Sequence, residues 1–286
     1  MRSGGPDAVH CRSVTRQGRL RGGWRRRRTQ ERWSRCPIAD RLSKRGGQHL
    51  ALRRRAILFR SRQRCRWASV GSRCVKILLL SRNTGAILPF LTGSNRAQGP
   101  LHGYRIAYID DAQQSFAGAA FVAAERAALE ELAGHIVPVT ARGTMAHRFD
   151  QILADVDAVY VASGSTFALL EALRESGNAA VLVARVQAGL PYIGASAGSI
   201  IAGPDVTPAS LMDDPADGPA LADYSGLALI DQTVIPHADG LLPPYPPELI
   251  QKTLDTYRGA YALTPLNDDQ ALLLDNGRMS VIRSEP

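Results

Sequence analysis

Residues Pro191-Tyr-Ile-Gly-Ala-Ser-Ala-Gly-Ser199 leave the chain few paths. The apolar run Tyr192–Ala195 reads as a buried strand, and Gly194-x-Ser196-x-Gly198 leads directly into an apolar helix start. So sharp a strand-to-helix turn lifts Ser196 out of the backbone, and the flanking glycines permit the close approach the turn requires. The first N–H groups of the new helix, and the positive end of its dipole, then aim at any negative charge formed beside the serine. Gly-x-Ser-x-Gly also occurs in small-residue turns without chemistry. The preceding strand and following helix favour the sharp turn.

The sequence around this turn alternates short apolar runs with helical patterns. Strands are expected at 75–80, 104–109, 136–139, 158–161 and 233–235, and helices at 116–133, 145–153, 166–175, 181–188 and 248–257. Gly134 is expected to stop the first of these helices, and Ser176-Gly177 the third. Segment 83–102 reads as loop with one helical turn and 203–223 as a long loop, and Asp275-Asn-Gly277 as the turn of a terminal hairpin. The alternation predicts an α/β fold of three layers, a mostly parallel sheet with helices on both faces. Ligands of such sheets sit at the carboxyl ends of the strands.

Charge divides the chain near residue 74. Residues 1–74 carry 22 basic side chains against Asp7, Glu31 and Asp40, leaving 13 basic and 23 acidic ones for 75–286. The overall charge of +9 therefore averages two unlike parts, and the high isoelectric point does not indicate a nucleic-acid-binding domain. All four cysteines and all three tryptophans lie in 1–74, with no paired zinc-type spacing. That part lacks a sustained period and reads as a disordered Arg-rich extension. It is open as a nucleic-acid-binding arm, as a targeting segment, or as translated upstream sequence preceding a true start at Val75. Residues 75–286 suffice for one catalytic α/β domain; without cysteine or a membrane-length apolar run, a cytoplasmic setting is expected.

A serine nucleophile needs a base. His10 and His49 lie in the basic part, and His102, His135 and His147 in less suggestive positions. His237, in Val-Ile-Pro-His-Ala-Asp239, leaves the end of a predicted strand and is placed to reach the sheet edge where Ser196 emerges. A lone histidine is more often a satisfied surface residue. The carboxylate that orients the base is open among Asp239, Asp213, Asp214, Asp268 and Asp269. Two oxyanion donors are expected, the N–H of Ala197 and that of Gly164 in the turn Ala162-Ser-Gly-Ser-Thr166. The plainer reading of this turn, a helix N-cap by Ser165, is compatible with that role.

The stretches 160–170 and 192–199, the pair Pro236-His237 and the tail Leu266-Asn-Asp-Asp-Gln270 together resemble the peptidase E (aspartyl dipeptidase) and cyanophycinase family of serine peptidases. The resemblance runs from about Val75 to the C-terminus. It implies a class I glutamine amidotransferase-like fold, with Ser196 as nucleophile, His237 as base and an acid near Asp268, where those peptidases carry Glu. Asp213 or Asp214 is the competing acid. The family's Gly-Gly-Asn-Thr turn appears here as Ser163-Gly-Ser-Thr166. The arginine-bearing stretch that follows the family's histidine is replaced by Leu241-Leu-Pro-Pro-Tyr-Pro-Pro247, so strict aspartyl specificity is not expected. Arg82 and Arg142 remain as cations that neighbouring strand ends could bring to the pocket.

The resulting expectation is a peptidase that cleaves short, dipeptide-like substrates without metal or organic cofactor. Neither nucleic acid nor membrane is an expected partner of the domain, and a homodimer stays open. A non-catalytic binder of small molecules or peptides on the same fold is the alternative reading. Residues 75–286 expressed alone are expected to match the full chain in melting temperature and activity. An unfolded or inactive truncation would show that 1–74 belongs to the domain.

Overall fold

The computed structural model describes residues 75–94 and 101–286; the extension 1–74, with every expectation attached to it, lies outside the described residues. The strands are β1 (Lys76–Leu80), β2 (Leu101–Ile109), β3 (Ala133–Val139), β4 (Ala158–Val161), β5 (Tyr192–Ala195), β6 (Thr233–Ile235), β7 (Leu263–Pro265), β8 (Gln270–Asp275) and β9 (Arg278–Arg283). The helices are α1 (Ile87–Thr92), α2 (Ala120–Leu132), α3 (Ala146–Ala154), α4 (Thr166–Glu175), α5 (Asn178–Gln187), α6 (Ala197–Ile200) and α7 (Pro247–Tyr257).

Seven strands form one sheet in the order β3-β2-β4-β5-β1-β8-β9. The first five run parallel, and the β8–β9 hairpin closes the far side antiparallel to β1. Successive strand residues point to opposite faces, so each face builds its own core. Ile77 and Leu79 of β1 join Val159, Val161 and Tyr192 under α3, α4 and α5, with Phe149, Phe167 and Leu170 completing the packing. Leu78 and Leu80 join Tyr108, Tyr160 and Ile193 under α1 and α2, with Ile87, Phe90 and Leu129. The expected three layers are present. The inner strands β4 and β5, and β1 after Lys76, are apolar without interruption because both their faces are covered.

Several local expectations are corrected. The helix predicted over 116–133 is a 3₁₀ turn, Asp111–Phe116, followed by α2. Gly134 does not stop α2; Ala133 is already extended and begins β3, so tertiary strand pairing with Leu101 prevails over the glycine signal. Segment 83–102 holds α1 and the start of β2, and 203–223 holds the short turns Thr207–Leu211 and Pro215–Asp217. The helix expected near 181–188 begins at Asn178, directly after Gly177 takes the left-handed conformation that ends α4. β6 is not a strand of the main sheet. It pairs in parallel with β7, which the sequence pattern did not reveal, in a separate two-stranded sheet. The terminal hairpin turns through Asn276 and Gly277, both at positive φ, as a tight two-residue loop requires.

Among the described residues, no helix is long and apolar enough to cross a membrane. Phe149 is fully buried between α3 and the sheet. Phe149→Ala is therefore expected to cost about 3–5 kcal/mol of stability, measured as a lowered urea midpoint at unchanged slope.

Candidate active site

The turn after β5 is over-determined. Ser196 has φ 46° and ψ −104°, a left-handed backbone that a non-glycine residue keeps only when its surroundings hold it. They do so through four segments. The Ser196 N–H donates to Leu80 O at 3.1 Å, and Ser199 and Ile200 donate their N–H groups to Ser196 O. The Ser199 hydroxyl donates to Leu80 O at 2.7 Å and bonds Gly194 O at 2.9 Å. The Tyr192 hydroxyl reaches across the turn to Gly198 O at 2.6 Å. A β-carbon on Gly194 would lie 2.4 Å from Gly198 O, and one on Gly198 2.2 Å from Val161 O. Both glycines are thus demanded by backbone contact. The helix entered here, α6, is a single turn of four residues. The helix dipole expected beside Ser196 is therefore that of one turn only.

His237 follows β6, and Asp268 follows β7. The register Ile235↔Pro265, continued by the Leu266 N–H to Ile235 O and the Ala238 N–H to Leu266 O, brings the two chain segments side by side. Asp268 also precedes β8. Because β8 is antiparallel to β1, its N-terminal approach lies at the edge where β1 and β5 end, with Leu80 paired to both Ala195 and Ala271. Ser196 Oγ lies 3.1 Å from His237 Nε2, and His237 Nδ1 lies 2.6 Å from Asp268 Oδ1. All three residues are buried. An ionised Asp268 can only accept, so Nδ1 carries the proton and donates it, leaving the Nε2 lone pair for the Ser196 hydroxyl. Burial opposes ionisation of Asp268. The hydrogen bond and charge of His237, with those of Arg82 after them, outweigh it and hold the carboxyl below its ordinary range.

Two residues at the end of β1 complete this arrangement, and no sequence motif announced the first. Ser81 is fully buried; its hydroxyl accepts the His237 N–H at 2.8 Å and faces Asp268 Oδ1 at 3.4 Å. His237 itself has φ 58°, so this bond supports a second strained backbone. Arg82 Nη1 donates to Asp268 Oδ2 at 3.2 Å, and the Asp268 N–H donates to Asp239 Oδ2 at 3.0 Å. The other acids weighed from sequence lie elsewhere. Asp213 Oδ2 accepts the Thr166 N–H at 3.0 Å and also its hydroxyl, Asp214 caps a 3₁₀ turn through the Ala216 N–H, and Asp269 pairs with Arg283. His135 and His147 are exposed, on β3 and α3.

The turn at 162–165 stands beside the serine because β4 pairs with β5, Val161 opposite Gly194. Gly164 and Ala197 each lie three residues beyond these partners. Gly164 has φ 131°, and a β-carbon there would meet Ala112 O at 2.2 Å. Ser163 and Ser165 both have partners. Ser165 caps α4 through the Ala168 N–H. Ser163 gives its N–H and its hydroxyl to Glu125, which also accepts from the Tyr160 hydroxyl at 2.8 Å and from Gln113 at 2.9 Å. Burial pushes the Glu125 carboxyl upward, and these donors oppose that shift. Among the described residues, no group of three or more His, Cys, Asp or Glu is placed to hold a metal ion.

Two expectations follow. Gly198→Ala should distort the turn and reduce the amount of folded protein, because the obstructing atom is backbone rather than a flexible side chain. Asp268, with its carboxyl lowered on folding, stabilises the fold above the ordinary value of 3.8, and this contribution is lost as pH falls below it. Urea unfolding followed downward from about pH 5 should show that loss. Asp268→Asn should show less of it.

The sequence pattern of peptidase family S51 matches residues 89–282. An uncharacterized peptidase of Pasteurella multocida (strain Pm70) is 38% identical over 124 residues, 43% of this chain and 58% of that protein. The chain thus spans little more than half the length of that relative. An uncharacterized peptidase of Listeria innocua is 27% identical over 200 residues, 70% of this chain and 93% of its own. The fold is similar to the crystal structure of a Listeria monocytogenes EGD-e protein assigned to peptidase E, with a TM-score of 0.64 and 23% identity over 73% of this chain and 98% of that one. With the match extending from α1 into β9, the chain belongs to peptidase family S51.

Proposed function

We propose that the chain is a serine-type peptidase that hydrolyses short, dipeptide-like substrates through an acyl-enzyme. The observation that carries this reading is the unbroken hydrogen-bonded series Ser196 Oγ, His237 and Asp268, mounted on a strained turn at a sheet edge. Ser196 Oγ attacks the scissile carbonyl carbon as His237 Nε2 takes the hydroxyl proton. The carbonyl oxygen becomes an oxyanion, for which the N–H groups of Gly164 and Ala197 are the donors. The carbon–nitrogen bond then breaks, and His237 returns the proton to the leaving amine. Water repeats the sequence on the ester and frees Ser196. Asp268 keeps the imidazole in the required tautomer and offsets its charge while it is protonated.

Substrate choice is broader than an N-terminal aspartyl residue, or shifted away from it. A desolvated aspartyl side chain needs a paired cation, best a bidentate arginine. The two arginines considered for that task already have carboxylate partners: Arg82 bonds Asp268, and Arg142 bonds Glu171 and Glu175. Asp213 is half-buried; burial raises its carboxyl, the hydrogen bonds of Thr166 and Tyr245 and the His237 charge oppose that shift, and the residue offers the site no cation.

Ser196→Ala is expected to reduce dipeptide hydrolysis by about a thousandfold or more with the fold intact, and His237→Gln by a comparable factor. Near-normal turnover in Ser196→Ala would defeat the mechanism. A panel of dipeptides varying the first residue among Asp, Glu, Asn, Ala and Leu tests specificity. A preference for Asp of about a hundredfold, near 3 kcal/mol, would show that a cation serves the pocket after all.

A further inference from the structure

We propose that Tyr245 is a positioning residue for the base: its ring supports the His237 imidazole face-on, and Asp213 fixes the ring for that task. The inference rests on His237 acting as proposed above. The Tyr245 and His237 rings are stacked, with centroids 4.9 Å apart and planes within 2°. The Tyr245 hydroxyl donates to Asp213 Oδ1 at 3.2 Å. The other oxygen of Asp213 accepts the N–H and the hydroxyl of Thr166, the first residue of α4. One carboxylate therefore ties the turn that carries Gly164 to the ring lying on His237.

The sequence around Tyr245 suits this role. Pro243, Pro244, Pro246 and Pro247 flank it, each with φ fixed near −65°. The Tyr245 N–H closes a turn onto Leu242 O at 2.8 Å. So stiff a segment loses little further freedom when it presents a ring. The residue is half-buried, although its neighbours Leu241, Pro243, Pro244 and Pro246 are exposed. Its ring offers a π face to the imidazole of His237.

The electrostatic consequence has a definite sign. His237 is neutral before the attack and cationic afterwards. A ring face attracts the cation more than the neutral form. The other groups facing His237 are Asp268 at Nδ1, Ser196 at Nε2 and Ser81 at its backbone N–H. Arg82 and Asp239 act one step away through Asp268, and Asp213 acts through Tyr245. Tyr245→Leu and Tyr245→Phe both lose the bond to Asp213, so the comparison between them isolates the ring.

The test uses the full chain and the dipeptide turned over fastest in the panel above. Tyr245→Leu should lower kcat roughly threefold to thirtyfold with little change in KM. The acid limb of its pH–rate profile should move to lower pH by about 0.4 to 1.5, because the imidazolium has lost support. Tyr245→Phe, which keeps the ring, should recover most of kcat and return the acid limb close to its original position. Should Tyr245→Leu fail to fold, Tyr245→Phe compared with Tyr245→trifluorophenylalanine keeps the shape while weakening the π face, and the fluorinated variant should show the same two changes. An unmoved kcat and acid limb in the ring-altered variant, while Ser196→Ala is inactive, overturns the role of Tyr245 alone. Retained hydrolysis in Ser196→Ala overturns the underlying reading as well.

Discussion

The carbonyl oxygen of Leu80 is the point on which the site depends. It accepts both the Ser196 N–H and the Ser199 hydroxyl, so the end of β1 holds the turn that follows β5. A left-handed serine costs about 1–3 kcal/mol and persists only under such constraint. The bond is available because β1 and β5 pair in parallel and end together, Leu80 opposite Ala195. The next two residues, Ser81 and Arg82, then reach the backbone of His237 and the carboxylate of Asp268. One strand end thereby supports the nucleophile, the base and the acid of the proposed mechanism.

The direction of the neighbouring strands explains how distant segments meet there. A parallel strand delivers its following residues to its carboxyl end, as β4 does with Gly164 and β5 with Ser196. An antiparallel strand delivers its preceding residues to that same edge, as β8 does with Asp268. The small β6–β7 pair, outside the main sheet, aligns His237 with Asp268 before β8 begins. The order serine, histidine, acid along the chain is a consequence of this topology.

Carboxylates wholly or partly withdrawn from solvent are fixed by several donors each. Glu125 holds Ser163 and Tyr160, Asp111 accepts the N–H groups of Ala141 and Arg142, and Asp213 holds Thr166 and Tyr245. In each case burial pushes the carboxyl upward and the donors oppose it. Such groups are costly when half-satisfied and rigidifying when saturated. They hold the turns and loops around the site, where backbone ladders are few.

The sequence by itself determined the α/β class, the apolar strands and the serine turn, because these are written in local residue order. Uninterrupted apolar runs specify strands covered on both faces, and Gly194 and Gly198 specify a backbone approach that admits no β-carbon. His237 and the turn at Gly164 were legible from their places at predicted strand and helix ends. Which carboxylate faces the imidazole was not legible from local residue order, since Asp213, Asp214, Asp239, Asp268 and Asp269 all lie in loop-like surroundings; only the family resemblance pointed to Asp268. Ser81, Glu125 and the stacking of Tyr245 were hidden as well: Ser81 bonds a residue 156 positions away and Glu125 one 38 positions away, while Tyr245 stacks on a ring eight positions back, across a turn whose shape the sequence did not disclose. The pairing of β6 with β7 and the antiparallel direction of β8 were decided by the tertiary structure. Long-range contact depends on the path of the whole chain, which no local periodicity encodes.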